Sequence, residues 1–328
     1  MCLVRFVVLG AGAVGGTIGG LLADSGHDVV LLARGVHAAA LRERGLRLAT
    51  PQRVVQVRVP VIERPADLSL ADDDVLVLTT KSHQTLDVLE GLPRRDLPIV
   101  CAQNGVANER MALRRCAAVY GMVVMLPAVF LSPGEVDAQG TPYSGLLDVG
   151  RYPTGVDDVA GAVANALSAS GFVSQPVPDV MRWKYAKLLR NLGNALEALC
   201  GNDLDPDATA VVRDLHARAR EEAESCFRAA GIAWASDEEW VARRRKQVEW
   251  APVEGRSRSG GSTWQSLVRG ADALEGDYLN GEIVLLGRVH GIPTPVNALL
   301  QEQARQAARS GQAPGAMRPQ DLLALLAR

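Results

Sequence analysis

Near the start of the chain, Gly10-Ala11-Gly12-Ala13-Val14-Gly15 carries the spacing G-x-G-x-x-G. Each glycine answers a steric demand. Gly10 permits a tight turn, Gly12 lets a pyrophosphate approach the backbone, and Gly15 lets a helix pack close to the strand before it. A helix starting here offers unpaired N–H groups and the positive end of its dipole to phosphates, with Ala11, Ala13 and Val14 supplying backbone. Arg34 follows in Leu32-Ala33-Arg34. A site of this kind that takes NAD places Asp or Glu there for the ribose 2′-hydroxyl. No acid is present, and a guanidinium can grip a 2′-phosphate through two parallel bonds. That favours NADPH, against the competing reading of a surface arginine at a strand end. Lys81 and Asn104 each follow an apolar run and fall where open α/β sheets bind ligands, at the carboxyl ends of strands. The bland alternative is that they only start helices. Lys187, Asn191 and Asn194 are spaced by four and three, which places them on one helix face. Asparagine is a poor helix former, so two in adjacent turns suggest contact with a ligand or another domain. Lys184, Arg190 and Glu197 nearby would equally suit a solvated face.

The elements that must position these groups are legible. Leu3–Leu9 reads as a buried strand, the glycines as a turn, Ile18, Leu21 and Leu22 as a helix face, and Asp28–Ala33 as a second strand. Strand, glycine turn, helix and strand within one short stretch is the context the fingerprint requires. Val75–Thr79 and Ile99–Ala102 are further buried strands. Their alternation with helices indicates a doubly wound parallel sheet, the α/β Rossmann type. Pro127–Gly150 is expected to form the antiparallel end of that sheet, Val156–Ser170 a helix and Phe172–Gln175 a last strand. Beyond Pro178 the pattern is helical, over Val180–Leu199, Ala208–Ala230, Asp237–Val248, Ala273–Val289 and Val296–Ala308, with a short tail helix around Asp321–Ala327. Val253–Ser262 reads as a Gly/Ser/Arg loop. The expected division is a Rossmann domain over 1–177 and an all-α domain over 178–328.

Composition narrows the class. The chain has 328 residues, enough for two cores, and a formal net charge of -2, which gives no support to nucleic-acid binding. Leu3–Ala23 is apolar apart from Arg5 and Thr17 and could pass for a signal peptide or membrane span. The lack of a long basic flank and the glycine spacing favour the dinucleotide turn. Five cysteines match no zinc or redox spacing, and the apolar settings of four suggest reduced core residues in a reducing, cytoplasmic compartment. The five histidines show no metal-like spacing, and His83 near Lys81 is read as bland. No metal is expected.

These segments together resemble the ketopantoate reductase (2-dehydropantoate 2-reductase) family. The likeness runs through Gly10–Gly15, Thr80-Lys81, Gln103-Asn104-Gly105, Trp183 with Lys187-Leu188-Leu189 and Asn191, Ser262-Thr263-Trp264-Gln265, and Glu275 with Asp277-Tyr278-Leu279-Asn280-Gly281. It implies a Rossmann domain followed by a helical one, with substrate in the cleft between them. It implies Lys187 as general acid, assisted by Glu275, and substrate contacts from Asn191, Asn194 and Ser262; the strand-end position of Asn104 separately makes it a candidate for the nicotinamide and substrate edge. Three departures stand out. Ala195 occupies the place of the family's usual second asparagine, with Asn194 one residue early. Ser266 stands where Asp is usual. The Ser262–Glu275 interval is a residue longer, so Thr263 could take the serine's role.

The expected activity is NADPH-dependent reduction of a 2-keto acid to a 2-hydroxy acid, 2-dehydropantoate first, as in pantothenate biosynthesis. Arg256 and Arg258 could meet the substrate carboxylate, although a solvated loop suits them better. A related carbonyl or imine reductase of secondary metabolism is the first rival. A non-catalytic NADPH-binding sensor is the second, and retention of Lys187 and Glu275 argues against it. The expected partner is a small keto acid, with no nucleic acid and no membrane; a homodimer is left open.

Overall fold

The computed structural model describes residues 4–256, 260–270 and 274–327; Cys2 and Arg258 lie outside them. The chain divides into two compact units, one comprising Met1–Lys184 with Ser236–Ser257 and the other Tyr185–Ala235 with Arg258–Arg328.

The first unit begins β1 (Arg5–Leu9), α1 (Ala13–Asp24), β2 (Val29–Leu32), α2 (Gly35–Arg44), β3 (Leu46–Ala49), β4 (Val54–Val57) and β5 (Val61–Ile62). It continues through β6 (Asp74–Leu78), α3 (Thr85–Glu90), β7 (Ile99–Cys101), α4 (Asn108–Leu113) and β8 (Val119–Met125). Then come β9 (Ala128–Ser132), β10 (Glu135–Ala138), β11 (Gly140–Pro142), β12 (Leu146–Arg151) and α5 (Asp158–Ala169). The main sheet has the order β12-β8-β7-β6-β1-β2-β5. Its pairings are parallel except β8 with β12. Both faces are covered, so β1 is apolar from Phe6 to Leu9: Phe6 and Val8 join one core with Ile18 and Leu22, while Val7 and Leu9 join another with Val88 and Leu89. From β1 the chain moves to β2 on one side and later to β6 on the other. The strand order therefore reverses at β1, the topological switch point where such sheets bind ligands.

The expectation for Pro127–Gly150 holds only in part. β12 does close the main sheet in antiparallel register with β8. β9 and β10 instead join β3 and β4 in a separate four-stranded sheet, ordered β4-β3-β10-β9. Phe172–Gln175 forms no strand; Val173 makes an isolated bridge to Leu146, and Pro176, just beyond, makes another to Val149.

The helical part contains α6 (Val180–Asn191), α7 (Asn194–Cys200), α8 (Pro206–Ala230), α9 (Asp237–Arg244), β13 (Val248–Trp250), α10 (Ser262–Val268), α11 (Asn280–His290), α12 (Pro295–Ser310) and α13 (Pro319–Leu326). The bounds of α8 follow from its caps. The Asp205 side chain accepts from the Ala208 N–H, Pro206 fills the first turn, and Gly231 ends the helix in the left-handed conformation. α8 packs against α11, α12 and α13, and α7 against α10 and α12.

Two expected long helices are interrupted. Val180–Leu199 breaks at Leu192-Gly193, where the Leu192 carbonyl accepts from Asn280 Nδ2 at 3.2 Å. Ala273–Val289 divides into a 3-10 turn at Glu275–Tyr278 and α11, with Leu279 at φ -115, ψ -91 between them. Asp237–Val248 ends as a helix at Arg244, and its last residue starts β13.

The sequence boundary at 177/178 places Ser236–Ser257 with the helices, whereas the structure places it in the first unit. β13 pairs with β11. Arg243 binds the buried Asp148 of β12 through Nε and Nη2 at 2.7 and 2.5 Å. Arg256 binds the buried Asp137 of β10 through Nε and Nη2 at 2.8 and 2.9 Å. Arg256 is thus a structural tie rather than a solvated loop residue.

The cysteines 101, 116, 200 and 226 are free and buried. Burial pushes their thiols up, Cys200 to about 11, so they remain protonated and unreactive. Among the described residues no helix is long and apolar enough to cross a membrane.

Candidate active site

The glycine turn sits between β1 and α1, at the switch point. Gly10 has φ +118, and a Cβ there would lie 2.8 Å from Thr80 Cγ2 and 2.9 Å from Thr80 N. A Cβ on Gly15 would stand 2.0 Å from the Gly10 carbonyl oxygen, so neither position accepts a side chain. Thr79 Oγ1 donates to that same carbonyl at 2.6 Å and locks the turn to the end of β6. Gly12 is different: nothing lies within 4 Å of its would-be Cβ. That is open space over the first amides of α1, as a pyrophosphate needs.

The rest of the site fits a dinucleotide as well. Arg34 is exposed just past β2 and precedes α2. No ion pair engages it among the described residues. Beside it, the Gly35 N–H donates to Glu63 Oε2 at 3.3 Å, and Arg42 pairs with the same carboxylate. The Arg42 hydrogen bond, followed by that of the Gly35 amide, holds Glu63 below the usual carboxylate range. At the ends of β6 and β7, Thr80 Oγ1 and Gln103 Oε1 are buried without a hydrogen-bond partner. Two orphaned polar atoms at the carboxyl edge of the sheet mark a place built for a polar ligand. Lys81 and Asn104, the neighbouring residues, are half-buried. Gly105, with φ +78, turns the chain from Asn104 toward α4. His83 is exposed.

A polar network joins the two loops. Gln103 Nε2 donates to the Thr80 carbonyl at 2.7 Å and to Thr85 Oγ1 at 2.9 Å. Thr85 Oγ1 donates to Asn108 Oδ1 at 2.8 Å, and Asn108 Nδ2 donates to Ser82 Oγ at 3.1 Å and the Asn104 carbonyl at 3.2 Å. Beneath it lies Lys184. Its Nζ is 2.6 Å from Glu109 Oε1 and donates to the Gln103 carbonyl at 2.9 Å, with side-chain exposures of 2% and 0% for the pair. Lys184 therefore does not belong to a solvated face. Its setting fixes the backbone next to Asn104. The clue was its place beside Trp183 in α6, which alone does not separate burial from snorkelling.

The remaining candidates lie in the second unit. Lys187 is half-buried on α6, and Asn191, 5% exposed, is the last residue of that helix. Asn194 is half-buried and opens α7. The break between them means that one continuous helix face does not carry all three. Ala195 is buried. Ser262 is half-buried at the start of α10, Thr263 is buried one residue later, and α10 packs on α7, the helix that Asn194 opens. Glu275, 6% exposed, opens the 3-10 turn before α11.

Asn280 is the keystone of this part. Its Nδ2 also donates to Asn297 Oδ1 at 3.0 Å, and Asn297 Nδ2 donates to Glu222 Oε2 at 2.8 Å. Glu222 in turn accepts from the Val296 and Asn297 amides at the start of α12. Asn280→Ala strands the Leu192 carbonyl and the Asn297 amide oxygen, at about 1–3 kcal/mol for each unsatisfied group. The expected loss is about 2–4 kcal/mol, read from the urea midpoint at unchanged m-value; a loss below about 0.5 kcal/mol would mean that this bond does not hold the break.

A Rossmann sheet with an open glycine turn at its switch point, joined to a helical unit, defines a dinucleotide-binding protein. The Ketopantoate reductase PanE/ApbA profile matches residues 6–153, and the Ketopantoate reductase PanE/ApbA C terminal profile matches 179–308. The chain belongs to the ketopantoate reductase family. It is 30% identical over 312 residues to the 2-dehydropantoate 2-reductase of Archaeoglobus fulgidus, covering 93% of this chain and 98% of that protein. The Pyrococcus horikoshii 2-dehydropantoate 2-reductase is 28% identical over 312 residues, covering 90% and 95%. Among solved structures, the PanE/ApbA family ketopantoate reductase of Ralstonia eutropha JMP134 superposes with TM-score 0.75 at 28% identity, covering 94% and 99%. D-mandelate dehydrogenase, solved with NADH and anilino(oxo)acetate, shares the fold with TM-score 0.78 at 22% identity, covering 94% and 99%.

Proposed function

We propose that the protein reduces a 2-keto acid with NADPH, 2-dehydropantoate to pantoate first among candidates. The observation that carries the cofactor half is Arg34, exposed and without an ion pair among the described residues just past β2, where an NAD site would hold an acid. The relatives named 2-dehydropantoate 2-reductase support the substrate half.

In this reading the first amides of α1, from Gly12 to Gly15, hold the pyrophosphate, and Arg34 holds the 2′-phosphate. Lys81 and Asn104 hold the nicotinamide edge. Bound there, the cofactor supplies a hydride to the keto carbon. Lys187 donates a proton to the oxygen as it becomes an alkoxide, and its charge stabilises the developing oxyanion. Glu275 keeps that ammonium charged, since a lysine buried alone loses its proton. Asn191, Asn194 and Ser262 or Thr263 orient the substrate by hydrogen bonds to its carboxylate and hydroxyl groups. The division of labour follows: the first unit binds cofactor, and the second supplies the acid and the substrate contacts from Asn191, Asn194 and Ser262 or Thr263.

The test is NADPH consumption, followed by absorbance, with 2-dehydropantoate and with NADH in parallel. Turnover with NADPH and not NADH supports the reading; turnover with NADH alone overturns the cofactor half. Arg34→Ala is expected to raise KM for NADPH by about 10- to 100-fold, the worth of a hydrogen bond to a charged group, with KM for NADH nearly unchanged. An equal rise for both would remove Arg34 from the 2′-phosphate. A second reading, reduction of another keto acid or an imine, is favoured by buried Ala195 and by Asn194 opening a new helix. NADPH binding without turnover of 2-dehydropantoate would select it.

A further inference from the structure

His37 lies on α2, three residues beyond Arg34. Both of its ring nitrogens are engaged by backbone. Nε2 is 2.8 Å from the Ala11 carbonyl oxygen, inside the glycine turn. Nδ1 accepts from the Gly134 N–H at 3.0 Å, in the hairpin between β9 and β10. The Gly134 amide can only donate, so Nδ1 carries the lone pair and Nε2 the proton. The imidazole is therefore neutral and donates to Ala11. Burial pushes its pKa down, which favours the same state. Phe130 packs edge-on against the ring, with centroids 4.8 Å apart at 85°.

We propose that His37 is a positioning residue for the dinucleotide: by holding the Ala11 carbonyl, it aims the Gly12 N–H at the cofactor's pyrophosphate. The argument is the geometry of one peptide plane. In a trans peptide the carbonyl of Ala11 and the N–H of Gly12 point in opposite directions. The ring that holds one from below turns the other outward. The Ala11 N–H is already committed to the Leu32 carbonyl at 2.9 Å, so the peptide planes on both sides of Ala11 are fixed. Gly12 N has no acceptor among the described residues, and the space over Gly12 is open.

The second sheet gains a role from this. Its hairpin turn is anchored by the Arg47 N–H, which donates to the Gly134 carbonyl at 2.8 Å. Arg44 Nη2 also donates to the Pro133 carbonyl at 3.2 Å. The turn in turn fixes the ring, and the ring fixes the glycine loop. A flexible loop would lose entropy on closing around phosphates, whereas this one is ordered beforehand.

The inference rests on the reading that the glycine turn holds a dinucleotide, and the test separates the two. Dissociation constants for NADPH and NADH are measured by fluorescence titration on the full chain, with Tm as the folding control. His37→Gln places an amide nitrogen near Nε2 and can still donate to Ala11. His37→Asn places its amide near Nδ1, so it can accept from Gly134 but cannot reach Ala11. His37→Asn is expected to weaken binding of the preferred dinucleotide about tenfold, while His37→Gln stays within about threefold of the parent. KM for the cofactor should follow those constants, with kcat changed by less than about twofold. Equal effects of the two substitutions, or no effect of His37→Asn on affinity, would overturn the role of His37 and leave the cofactor reading standing. Failure of the parent chain to bind either dinucleotide would overturn both.

Discussion

Lys187→Ala should lower kcat by about 10²- to 10⁴-fold, the contribution of a positioned general acid, while the affinity for NADPH changes less than about twofold. The contrast is the informative part. Lys187 and the glycine turn belong to different compact units, so a loss of turnover through misfolding of the first unit would show as lost cofactor binding. Glu275→Gln is the companion. It leaves the lysine in place and removes the carboxylate proposed to keep it charged, so its deficit should shrink at lower pH, where the ammonium re-forms. Rapid turnover by Lys187→Ala, within about threefold of the parent, would sink the proposed mechanism.

The second large effect concerns stability. Lys184→Ala should destabilise the first unit by about 3–5 kcal/mol, because it leaves the buried Glu109 side chain sealed from water without its partner. Removing the pair together should be far milder, since replacing a buried ion pair by uncharged groups of similar volume is often close to neutral. Lys184→Met combined with Glu109→Gln should therefore recover most of the loss. The double substitution still removes the donor to the Gln103 carbonyl. It should raise KM more than it lowers Tm if that bond sets the conformation of the Asn104 loop. Thermal unfolding and steady-state kinetics on the single and double variants decide this. A cost for Lys184→Ala below about 1 kcal/mol, the worth of a surface pair, would show that water reaches the site.

The glycine turn was legible because local rules determine it: strand, turn and helix adjoin in sequence, and Gly10 and Gly15 are forced by contacts within the motif and the strand beside it. The end of α8 at Gly231 was legible for the same reason; its start, expected at Ala208, lies at Pro206, where Asp205 caps the helix. The separate sheet was not. β3 meets β10 across a long stretch of chain, and no local periodicity says which edge a short strand will choose. The break after Asn191 escaped detection because its cause sits on α11, where the Asn280 amide captures the Leu192 carbonyl. The candidates Asn191 and Asn194 were recognisable by residue type, and Ser262 only through the family resemblance. The spacing argument that put the asparagines on one face assumed an unbroken helix. Lys184 is the plainest miss, because a charged residue on a helix is read as solvated until its partners are known.

The return of Ser236–Ser257 to the first unit has a consequence for how the molecule can be divided. The chain passes between the units after Lys184, after Ala235 and after Ser257. No single cut yields an autonomous cofactor-binding fragment. A gene truncated after Lys184 would encode the whole main sheet yet omit Arg243 and Arg256, the counter-ions of the buried Asp148 and Asp137, and the strand that covers β11. A segment of the first unit is thus threaded between the two parts of the helical unit, so neither unit can be exchanged for another as a continuous piece of chain.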